Sequence, residues 1–262
     1  MAAGAEPLAD EGTQVFVPLW DHNPLETVRF QFVTIGLIII NCLVFFALQL
    51  GLLYPVPDAL QVSFALVPHE LLSNFISQPV STAPVGTDVP ERLTLITYMF
   101  MHGSFMHLFG NMIFLWVFGD NVEDAMGHVR FLFFYLLCGI FAGITHALIS
   151  PASDIPLIGA SGAVAGVIAA YLMLHPNVRV WCLWFFRIPL RVSAGFALLV
   201  WIGLQVLNIA LSTDTSIAWW AHIGGLIAGA VLVLFMRRPG IPLFDRATGV
   251  EPKPQPGVTS SR

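Results

Sequence analysis

The chain has 262 residues, 56% of them hydrophobic and only 10% charged, with a formal net charge of −5 and a mean hydropathy of +0.79. A soluble domain carries about 25% charged residues, so this chain lacks the polar side chains to cover a water-facing surface, and a membrane protein is the class that remains. Its eleven basic residues are too few and too spread for nucleic-acid binding, and its three cysteines, Cys42, Cys138 and Cys182, give neither a disulfide framework nor a metal-ligand spacing.

Residues 1–28 are polar and contain Glu6, Asp10, Glu11, Asp21 and Glu26. They lack the basic start and short apolar core of a cleavable signal and are expected to be a cytoplasmic N-terminal segment. Six apolar stretches follow, roughly 31–53, 104–119, 131–149, 160–174, 193–211 and 217–236. Each is long enough, or nearly so, to cross about 30 Å of hydrocarbon at 1.5 Å per residue. Lipid-exposed backbone must satisfy its own hydrogen bonds, so the spans are predicted to be helices. The expected fold class is an all-α polytopic six-helix membrane domain over residues 29–238. Within it lies a long outer loop, 54–103, whose segment VSFALVPHELLSNFI is partly amphipathic. The Pro-rich tail 239–262 is expected to be disordered.

Basic residues set the orientation. Arg29, Arg130, Arg179, Arg187, Arg191, Arg237, Arg238, Arg246, Lys253 and Arg262 all fall on one side of the spans, and only Arg92 falls on the other. Both termini are therefore expected in the cytoplasm. Spans two, four and six then run in the same direction, with their N-terminal ends together at the outer side.

Those three outer ends carry the polar residues. Span two opens with MHGSFMHLFGNM, placing His102, Ser104, His107 and Asn111; span four opens at Ser161; span six opens with WWAHIGGLIAG, placing His222. Polar groups in a membrane are costly and turn toward the bundle or a wet cavity. Gly162 and Gly166 on span four, and Gly225 and Gly229 on span six, are each four apart, a spacing that lets helix backbones approach closely. If these faces pack, Ser161 and His222 meet. A serine hydroxyl becomes a useful nucleophile when a neighbouring base takes its proton. At a helix start it also has unpaired backbone N–H groups and the positive dipole end beside it. His107 and Asn111, at i and i+4, share a face and can donate hydrogen bonds to an oxyanion.

These residues resemble the rhomboid family of intramembrane serine proteases. The resemblance rests on His107-x-x-x-Asn111 with His102 five residues earlier, Gly159-Ala160-Ser161-Gly162, and Ala221-His222-x-x-Gly225-x-x-x-Gly229. Val122-Glu123 and Gly127 add to it. It implies a rhomboid-like six-helix bundle with Ser161 as nucleophile, His222 as base, and His107 and Asn111 as oxyanion donors. It implies no cofactor and no metal. It also implies transmembrane proteins as substrates, cut near the outer side of the bilayer. Two positions depart from the pattern. Leu93-Thr94 stand where many members have Trp-Arg, and Ala165 stands where some have an aromatic residue stacking on the histidine. The compact form and absence of an organelle-targeting segment suggest a bacterial inner membrane.

Other chemistries fail on residues. His69-Glu70-Leu71-Leu72-Ser73 begins like a zinc H-E-x-x-H helix but ends in serine. An aspartyl protease needs two carboxylates within the spans, and a G-x-S-x-G elbow would need glycine where Ala163 stands. A transporter lacks support from an inverted repeat or an intramembrane charge. A proteolytically silent relative would lack the serine or the histidine, and both are present. Asn41, Gln205 and Asn208 are read as interhelical hydrogen bonds, Glu123 as a cap or pairing group, and Trp219 and Trp220 as interface markers.

Overall fold

The computed structural model describes residues 16–53, 57, 61–76, 89–184, 187–211 and 218–245. The first apolar stretch forms α1 (Phe32–Leu43) and continues as a wider π-helical segment over Val44–Gln49. In the long connection 54–103, α2 (Pro68–Ile76) opens on a proline whose fixed φ suits a first helical turn. Next come α3 (Glu91–Thr97), a single 3₁₀ turn at Tyr98–Phe100, and α4 (Phe105–Met126). Ser104 caps α4 by accepting the His107 backbone N–H at 3.0 Å. Gly127, at a φ of +84°, separates α4 from α5 (His128–Ile149). A side chain there would strike the Arg238 guanidinium. The remaining helices are α6 (Ser161–Leu174), α7 (Ala194–Leu211) and α8 (Trp219–Met236).

Among the described residues, four helical segments are long and apolar enough to cross a membrane: Phe32–Gln49, His128–Ile149, Ala194–Leu211 and Trp219–Met236. The helix α6 is apolar but has only 14 residues. The helix α4 has 22, with Asp120, Glu123 and Asp124 in its last two turns. Large apolar side chains face outward around the bundle, among them Ile39, Leu43, Phe133, Leu199 and Phe235, the inverse of a water-soluble surface.

Helix α6 is the central element, buried on nearly every side. It packs between α5 and α8 through small residues. A Cβ on Gly162 would collide with Ala142 of α5, and one on Gly166 with Cys138. Across the other interface, a Cβ on Gly225 would overlap the Gly162 carbonyl oxygen, and one on Gly229 the Gly166 carbonyl oxygen. The pairings rise together in number, so α6 and α8 are parallel at close approach, the geometry small-x-x-x-small faces permit. Contacts between Gly159 and His107 at one end, and between Phe118 and Tyr171 further along, make α4 parallel to both.

The expectation of an all-α chain is corrected. Strands β1 (Phe16–Asp21), β2 (Arg179–Trp184) and β3 (Ile188–Ser193) form an antiparallel sheet in the order β1-β2-β3. Val180 and Cys182 are fully buried while their neighbours Trp181 and Leu183 remain partly exposed. The outward residues are themselves apolar, so the two-residue alternation that announces a strand in water is blurred. Pro18 and Pro189 lie on the two edge strands, where a missing N–H is tolerated.

Residues 16–28 pack on the helical unit. Asp124 accepts the backbone N–H groups of Glu26, Thr27 and Val28 at 3.0, 2.7 and 2.5 Å, and Asn121 and Asn23 exchange two hydrogen bonds. Glu123, fully buried, accepts the N–H groups of Val33 and Thr34 and the Thr34 hydroxyl at 3.0, 2.8 and 2.7 Å. It thus caps α1 from another helix, where an anion meets the positive end of the dipole. Beyond α8, the Phe244 and Asp245 N–H groups bond to the Met173 and Leu174 carbonyls. The rest of the expected tail, 246–262, lies outside the described residues, as do 77–88 of the outer loop and the Asn208 side chain.

Candidate active site

Three helix starts converge where the small-residue faces bring α6 and α8 together. Ser161 is the first residue of α6, and His222 lies in the first turn of α8. Ser161 Oγ is 2.8 Å from His222 Nε2, within hydrogen-bond reach. The other imidazole nitrogen, Nδ1, is 2.8 Å from Gln205 Oε1 on α7. Two indoles complete the surroundings of the ring. Trp201 tilts over it at 36° with centroids 6.0 Å apart, and Trp219 meets it edge-on at 86° and 5.9 Å. Ala165 leaves no aromatic one turn along α6; Trp201 of α7 supplies one instead.

The approach to Ser161 is shaped by Gly159. Its φ of +116° is a conformation side chains avoid, and any Cβ would run into the His107 ring, with Asn111 Nδ2 also nearby. Its N–H is held by the Tyr98 carbonyl at 2.9 Å. The Gly159-Ala160-Ser161 corner therefore turns directly beneath His107 and Asn111. Asn111 is 7% exposed, and its Nδ2 has no hydrogen-bond partner among the described residues. A buried amide donor with nothing to donate to is uncommon and calls for an explanation. The first N–H groups of α6, which opens at Ser161, have no acceptor within their own helix.

His102 is buried beneath this layer and meets the His107 ring edge-on, with centroids 5.2 Å apart. Its backbone is clamped by Gln49, which accepts its N–H and donates to its carbonyl, both at 2.9 Å. The connection 54–103 is held without a Trp-Arg pair. Leu66 and Leu157 exchange backbone hydrogen bonds at 3.0 and 2.8 Å, the Tyr98 hydroxyl donates to the Gly139 carbonyl at 2.7 Å, and Thr97 donates to the Phe64 carbonyl. His69 pairs with Asp154 at 3.1 Å and His128 with Glu123 at 2.5 Å. No group of three or more His, Cys, Asp or Glu that could hold a metal ion occurs among the described residues.

Gln205 is the site residue that sequence reasoning did not assign to the site. A polar residue in an apolar span signals an interhelical bond, but which helix receives it depends on helix rotation. Trp201 and Gln205, at i and i+4, share one face of α7, and that face is turned to His222.

The chain matches the Rhomboid domain family over residues 90–239, more than half its length. It is 31% identical over 149 residues to RHOMBOID-like protein 5 of Arabidopsis thaliana, covering 56% of this chain and 45% of that protein. It is 30% identical over 148 residues to the mitochondrial Rhomboid protein 1 of Saccharomyces cerevisiae, covering 55% and 41%. It is 31% identical over 132 residues to the rhomboid protein YdcA of Bacillus subtilis, covering 47% and 63%. The chain thus spans less than two thirds of each of these relatives. Others carry mitochondrial and chloroplastic names, so the comparisons do not support the expected bacterial inner membrane. The chain is an integral multi-pass membrane protein belonging to the rhomboid family, whose members are generally intramembrane serine proteases.

Proposed function

We propose that this protein is an intramembrane serine endopeptidase that cuts transmembrane segments of other membrane proteins near the outer side of the bilayer. The observation that carries the reading is the 2.8 Å contact between Ser161 Oγ and His222 Nε2, with Asn111 Nδ2 buried and without a partner among the described residues. In this reading residues 29–238 form a six-span unit with α1, α4, α5, α6, α7 and α8 as the spans and both termini in the cytoplasm. The 14 residues of α6 rise only about 21 Å. With its inner end level with the other helices, its start lies some 10 Å below the outer edge of a bilayer core about 30 Å thick. The serine is therefore recessed, reached by water from the outer side and by a client helix from the membrane.

The reaction uses the chain's own groups. Ser161 Oγ forms a bond to the scissile carbonyl carbon as its proton passes to His222 Nε2. The oxyanion is received by Asn111, His107 and a backbone N–H at the start of α6. The C–N bond breaks, and His222 returns the proton to the departing amine. Water then adds to the acyl carbon as its proton passes to His222, and the C–Oγ bond breaks as His222 returns that proton to Ser161 Oγ, releasing the new carboxyl end. Clients are single-span or other transmembrane proteins within the lipid bilayer.

The test is labelling by a fluorophosphonate serine-hydrolase probe in detergent. Wild type labels, Ser161→Ala does not, and His222→Ala barely does. Full labelling of folded Ser161→Ala protein would overturn the reading.

A further inference from the structure

A serine–histidine pair works only when the imidazole nitrogen facing the serine carries no proton. A neutral imidazole has one N–H and one lone pair, so something must keep the proton on the far nitrogen. In the serine-protease triad, a carboxylate does this. Here the group at the far nitrogen is an amide. Gln205 Oε1 lies 2.8 Å from His222 Nδ1, on a side chain only 6% exposed.

We propose that Gln205 is a positioning residue for the hydrolase read above, holding His222 in the tautomer that keeps Nε2 open to the Ser161 proton. The inference rests on that reading. With Nδ1–H donating to Oε1, the lone pair of Nε2 points at Ser161 Oγ, 2.8 Å away. With the amide turned over, Gln205 Nε2 would donate to Nδ1, the histidine proton would sit on Nε2, and the ring could not accept from serine. The amide orientation therefore sets competence. When the serine proton arrives, the ring carries two N–H groups, and Oε1 continues to accept from one of them. Its carbonyl dipole opposes the new positive charge without placing a second ion in the membrane, where an unpaired carboxylate is costly. Trp201, one turn earlier on α7, and Trp219 on α8 limit rotation of the ring. Helix α7 thus contributes to the chemistry without contributing a reacting atom.

The experiment pairs a tautomer measurement with labelling kinetics. In ¹⁵N spectra of histidine-labelled full-length protein in detergent, the His222 signal is assigned by its loss in His222→Gln. Wild type is expected to show the Nδ1–H form. Gln205→Met, close in shape and without a carbonyl, is expected to lose that preference. Its maximal inactivation rate by the fluorophosphonate should fall about 10- to 100-fold, with the inhibitor's half-saturating concentration within about twofold of wild type. Wild type in the Nε2–H form would overturn the inference, as would Gln205→Met reacting at the wild-type rate. If Gln205→Met does not fold, Gln205→Leu takes its place, and the wild-type spectrum alone still decides the tautomer. Wild type with the Nδ1–H form that resists the probe would overturn the hydrolase reading itself, and with it the role built on it.

Discussion

Gly225 of α8 rests against the carbonyl oxygen of Gly162 of α6, and one turn later Gly229 repeats the relationship with Gly166. The neighbours are backbone atoms, which cannot swing aside as a side chain could. Gly225→Ala or Gly229→Ala must push the helices apart, at a cost of about 1–3 kcal/mol or more, and must widen the Ser161–His222 contact with them. At Gly36 and Gly203, by contrast, a Cβ would have no neighbour within 4 Å among the described residues. Alanine there should be neutral or stabilising by up to about 1 kcal/mol. Thermal unfolding in detergent across the four variants checks this. Equal losses at all four positions would show that glycine matters here for reasons other than close approach.

Glu123 should be among the costliest single positions outside the site. It receives the start of α1 through three hydrogen bonds and pairs with His128. Glu123→Ala leaves those donors buried without an acceptor, each lost partner costing about 1–3 kcal/mol. A marked fall in melting temperature is expected, while protein that remains folded should still label with the fluorophosphonate. A variant as stable as wild type would show that water replaces the carboxylate at the start of α1.

The helices and their meeting point were legible in the sequence for definite reasons. Length and apolarity mark spans in lipid, and the four-residue glycine spacing marks the face through which α6 and α8 touch. The sheet was not legible, because Trp181 and Leu183 are as apolar as the buried Val180 and Cys182. The capping role of Glu123 was only half legible, and that of Asp124 was not read at all. Acidic residues near a span end suggest a cap, but their partners lie some ninety residues earlier in the chain. Gln205 shows the same limit at the site itself. Its polarity was visible, and its partner depends on how α7 is rotated.

Stability should fall as pH rises from about 4 to about 6 through Asp21 of β1. Burial is the main cause that pushes its carboxyl up to about 6 from the ordinary 3.8, partly opposed by the hydrogen bond donated by the Tyr171 hydroxyl. Between those values the folded chain holds a proton that the unfolded chain releases, so raising the pH favours unfolding. Below the unfolded value no penalty is present, and above the folded value it is complete, at about 3 kcal/mol. Asp21→Asn removes the titrating group and should flatten this part of the melting-temperature profile between pH 4 and 7. An unchanged slope in the variant would assign the dependence to other groups.

Asn111 offers a separation between stability and rate. Its Nδ2 is buried and has no acceptor among the described residues, so the folded protein carries an unsatisfied donor whose removal costs no hydrogen bond from that atom. If that donor waits for an oxyanion, its worth appears only in the transition state. Asn111→Ala should then melt within a few degrees of wild type, yet react with the fluorophosphonate about 10²–10³-fold more slowly, the usual loss for one oxyanion donor. Asn111→Asp tests the sign of the interaction. It keeps the size and places an acceptor where a donor is needed, so it should be at least as slow as the alanine variant. A purely structural Asn111 predicts the reverse pattern: Asn111→Ala would lower the melting temperature and leave the reaction rate of the folded fraction unchanged.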